Sequence, residues 1–149
     1  MTYYEWVMLF DEIKKSPRND KYLEKLKTLS TSYEGNAKTL FVNHIVDVIN
    51  TRLKNTLDSF LNKARKTNFV IESLLVELNE IKKEVNYLRE LISYSYVPDD
   101  KRIELKNYLN TAVRGIEESI KKSFDGNTNS QIVLMVKNLN LMEVNNELQ

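Results

Sequence analysis

Sixty-two consecutive residues between Gly35 and Pro98 include neither glycine nor proline. The two residue types that most readily break a helix are therefore missing from more than a third of the chain. From Leu53 to Ile92 the same stretch keeps an apolar heptad. Leu53, Phe60, Leu74, Ile81 and Leu88 hold one seam position, and Leu57, Ala64, Ile71, Leu78, Val85 and Ile92 hold the other. Alternating steps of three and four put all of these side chains on one face of a helix. Only Thr67 interrupts the row.

Two architectures satisfy that pattern over residues 37–97. One is a continuous coiled-coil-like helix of about 60 residues, roughly 90 Å long at 1.5 Å per residue. The other is a hairpin of two helices turning near Arg65-Lys66-Thr67-Asn68. The unbroken heptad phase favours the first. The charges favour the second: residues 51–66 carry a net +4 and residues 70–90 a net −2, and a hairpin would lay the two beside each other. Asn50 extends the seam upstream, where a buried asparagine would fix register or partner number.

The flanking segments also read as helices. Thr2 and Glu5 have the spacing of a capping box ahead of the stripe Trp6, Leu9, Phe10 and Ile13. Ser16-Pro17 is expected to stop that helix and open the next, with Ser16 as its cap. Tyr22, Leu23, Leu26, Leu29 and Tyr33 would form the buried face of this second helix, which Gly35 ends. Residues 1–35 thus form an N-terminal helix pair. Asp99 and Asp100 begin a further helix over 99–125, where two carboxylates complement the helix dipole. Residues 131–147 read as a last helix, although Ile132 to Val136 could also form a buried strand. The expectation is one all-α domain over residues 1–149, a bundle of four to six helices.

Composition narrows the function. There are no cysteines, so disulfides, thiol chemistry and thiolate metal sites are excluded. The formal net charge is +1, which argues against a dedicated nucleic-acid binder. No apolar run exceeds five residues, too short for a membrane span. The N-terminus has no basic leading region of the kind a signal peptide needs, and a cytoplasmic protein is expected. Seventeen asparagines and sixteen lysines come from adenine-rich codons, which points to an AT-rich genome such as that of a low-GC bacterium, its phage or another mobile element.

Chemistry is sparse. The one histidine, His44, has Asp47 as its only polar neighbour at helical spacing. That pair lacks a nucleophile and makes a poor catalytic centre. No Glu-x-x-His repeat, zinc-ligand set or glycine-rich phosphate loop occurs, so neither a cofactor nor catalysis is expected. The leading expectation is a protein-binding module acting as an inhibitor, immunity-type protein or adaptor. Tyr3 and Tyr4 at one element end, and Tyr94 and Tyr96 at another, are the candidate anchors, because tyrosine buries a large area and keeps a polar handle. A homodimer through the heptad seam is a second form of the same idea. The alternative is nucleic-acid binding along the basic stretch Arg52, Lys54, Lys63, Arg65 and Lys66.

Overall fold

The computed structural model describes residues 3–26, 36–64, 71–93, 97 and 99–123. Among these there are five α-helices and no strand: α1 (Tyr3–Lys15), α2 (Asp20–Leu26), α3 (Asn36–Ala64), α4 (Ile71–Ser93) and α5 (Asp99–Ser123). The fold is an all-α bundle. The capping residue Thr2, the turn residues 65–68 and the segment 131–147 lie outside the described residues.

The hairpin reading of the long segment is the correct one. Lys63 on α3 forms an ion pair with Glu77 on α4, Nζ to Oε1 2.5 Å. In one continuous helix these residues, fourteen apart, would stand about 21 Å from each other. The pair joins the basic end of one helix to the acidic start of the next, as the charge distribution of the sequence anticipates. Glu77 also accepts from the Ser59 hydroxyl at 3.4 Å. Both bonds satisfy a carboxylate that is itself buried, where an unpaired charge would be costly.

The chain divides into two compact units. The first combines Met1–Arg52 with Asn86–Leu109, and the second combines Leu53–Val85 with Asn110–Gln149. In the second unit the heptad residues Leu53, Phe60, Leu74, Leu78, Ile81 and Val85 are buried together with Val113, Ile116 and Ile120 of α5. Leu88 and Ile92 are likewise buried in the first unit. Of the other seam positions, Leu57 and Ala64 are half-buried, and the Ile71 side chain is not described.

In the first unit an aromatic cluster ties α1 to α3. Trp6 and Phe10 meet Phe41 edge-on, with ring centroids 5.2 and 5.3 Å apart. This is the arrangement that ring quadrupoles prefer. Further along, Phe10 stacks on His44 and Lys14 pairs with Asp47 at 2.8 Å. Residue numbers rise together on both helices, so α1 and α3 run parallel.

The α1–α2 connection differs from the sequence expectation. Ser16 still belongs to the last turn of α1, donating its N–H to the Glu12 carbonyl at 2.8 Å. The cap of α2 is Asn19, whose side-chain oxygen accepts from the Lys21 N–H at 2.9 Å. Asn19 offers a side-chain carbonyl two residues ahead of that amide, the usual geometry of an N-cap. Pro17 therefore lies in the connection rather than at the first position of a helix.

At α5, Arg102 holds the helix start in place. It donates to Asp99 at 2.8 Å and to the Val97 carbonyl at 2.9 Å. Gly115 sits near the middle of the same helix with open space where a Cβ would be. Gly115→Ala should therefore stabilise the protein by about 0.5–1 kcal/mol, because alanine loses less backbone entropy on folding. Thermal melting followed by circular dichroism should show a midpoint about 1–4 °C higher. A lower midpoint would mean that the added methyl meets an obstruction.

Candidate interaction faces

Among the described residues of the basic stretch, Arg52 does not share an exposed face with Lys54 and Lys63. Arg52 turns inward and is buried. Its Nη1 donates to the carbonyls of Ile13 and Ser16, both at 2.6 Å. Those carbonyls belong to the end of α1, where an α-helix runs out of internal donors and a cation suits the dipole. The guanidinium also stacks over the Tyr87 ring of α4, 5.1 Å from its centroid. The Tyr87 hydroxyl in turn donates to the Asn19 carbonyl at 3.3 Å. Arg52 is thus a clamp on α1 and its connection, and it is withdrawn from nucleic-acid contact. Lys63 is committed to Glu77. Lys54 is exposed on α3, and Arg65 and Lys66 lie outside the described residues.

Asn50 does not act as a buried polar seam residue either. It is exposed and accepts the Tyr108 hydroxyl at 2.7 Å. The buried face of α3 here runs through Ile45, Val48, Ile49 and Arg52, which leaves Asn50 to one side.

Of the four candidate tyrosines, Tyr94 and Tyr96 lie outside the described residues, and the Tyr3 side chain is not described. Tyr4 is 71% exposed. One turn further along α1, Met8 is 54% exposed. Steps of 100° per residue place both on the side of the helix opposite Trp6, Leu9, Phe10 and Ile13. Composition gave no reason to single out Met8; its position four residues after Tyr4 was the available signal.

The His44–Asp47 pair is already engaged in structure. Asp47 accepts from the Lys14 ammonium at 2.8 Å, and this bond raises the Lys14 pKa above its ordinary value. The His44 ring lies nearly parallel to that of Phe10, 9° from coplanar and 5.4 Å between centroids. Burial holds the imidazole below its usual pKa, Asp47 opposes that shift, and Lys14 adds to it. Among the described residues, no group of three or more His, Cys, Asp or Glu side chains could hold a metal ion. None of the described helices is long and apolar enough to cross a membrane.

Comparison with known proteins adds no constraint: no family model, curated protein or solved structure matches this chain.

Two outcomes follow from this geometry. Arg52→Ala should cost roughly 3 kcal/mol, since it removes two charge-assisted bonds at about 1.5 kcal/mol each as well as the ring contact. Urea unfolding should show that loss, and Arg52→Lys should recover only part of it because one ammonium cannot reproduce the planar fork. A loss below about 0.5 kcal/mol, the scale of an ordinary surface substitution, would mean that the clamp is idle.

His44 gives a pH signature. Its folded pKa is depressed below 6.5, so as pH falls the unfolded chain takes up the proton first. The stabilisation is complete above about pH 6.5 and is lost as pH drops towards the folded value. Melting midpoints from about pH 8 to pH 5 should therefore fall more steeply for the wild type than for His44→Gln. Equal slopes would assign the proton uptake to other groups.

Proposed function

We propose that this chain is a non-catalytic protein-binding module, an inhibitor, immunity-type protein or adaptor that acts by occluding or scaffolding its partner. The observation that carries this reading is the Tyr4–Met8 pair, two large apolar side chains one helical turn apart on the outward side of α1. A helix docks into a partner's groove through anchors at this spacing. Methionine adapts to irregular apolar surfaces, and tyrosine is enriched among the residues that dominate binding energy.

The rest of the first unit supports the assignment. The anchors stand on a helix whose inner side is held by Phe41 and whose last turn is held by Arg52. A rigid support lowers the entropy lost on binding. Two further contacts build this support, Asp47 with Lys14 and His44 with Phe10. A cytoplasmic setting in an AT-rich host, or in a phage or mobile element of one, accords with the absence of cysteine and the abundance of asparagine and lysine.

The test is affinity capture from the lysate of a low-GC host, with and without nuclease, using the tagged wild type and a Tyr4→Glu, Met8→Glu variant. The wild type should retain a stoichiometric protein after nuclease treatment. The variant should lose it at least tenfold, which corresponds to about 1.4 kcal/mol, while its circular dichroism stays helical. Equal capture by both proteins, or capture of nucleic acid alone, would overturn the reading.

A further inference from the structure

We draw no further inference here: the strongest candidate, the exposed pair Leu75 and Val76 near the start of α4, is an unpartnered apolar face, and nothing in the structure shows what covers it.

Discussion

A buried arginine organises the first unit of this protein. Removing a guanidinium from water is expensive unless its donors are met. Arg52 meets that requirement with main-chain oxygens rather than with a carboxylate. The end of a helix is one of the few places where carbonyls are free to receive such a group. The arrangement therefore solves two problems at once: the charge finds partners, and α1 acquires a C-terminal cap from a helix distant in sequence. The ring of Tyr87 covers the guanidinium, and its hydroxyl reaches the residue that caps α2. Four helices of this unit thus share one polar contact set.

Much of the architecture is legible in the sequence because it follows from periodicity. The heptad residues Phe60, Leu74, Leu78, Ile81 and Val85 are all buried, and the opposite charges of 51–66 and 70–90 identify two helices folded back on each other. What periodicity lacks is direction around the helix for polar residues. Arg52 reads as one more cation in a basic stretch, yet it follows Val48 and Ile49 onto the buried side of α3. Asn50, two residues earlier, faces outward and meets Tyr108. Ser16-Pro17 has the composition of a helix start, but the Ser16 carbonyl is claimed by Arg52, and the cap moves to Asn19. Each discrepancy arises from a tertiary partner that local sequence does not display.

The candidate site was legible only in part. Tyr4 stood out as an aromatic residue at an element end. Its neighbour Met8 is separated from the buried residues Leu9 and Phe10 by nothing that hydrophobicity can register. Exposure of a large apolar residue is informative because it runs against the tendency of such residues to be inside. Helical spacing, rather than hydrophobicity, is what sets Met8 apart from the stripe Trp6, Leu9, Phe10 and Ile13.

The parallel packing of α1 and α3 has a bearing on the order in which this chain assembles. The contacts between α3 and α4 in the second unit close loops of 14 and 18 residues. Those that dock α1 on α3 span 31 to 39 residues, and the Tyr87–Asn19 contact spans 68. Loop-closure entropy grows with separation, by about 0.6 kcal/mol for each doubling, and short-range contacts form sooner. Two helices that run in the same direction also cannot be joined by a tight turn, so α1 has no short route to its place. The α3–α4 contacts are the more local of the two sets, and loop-closure entropy favours their closing before α1 docks on α3. The helix proposed to meet a partner is thus the one whose docking on α3 closes the longer loops.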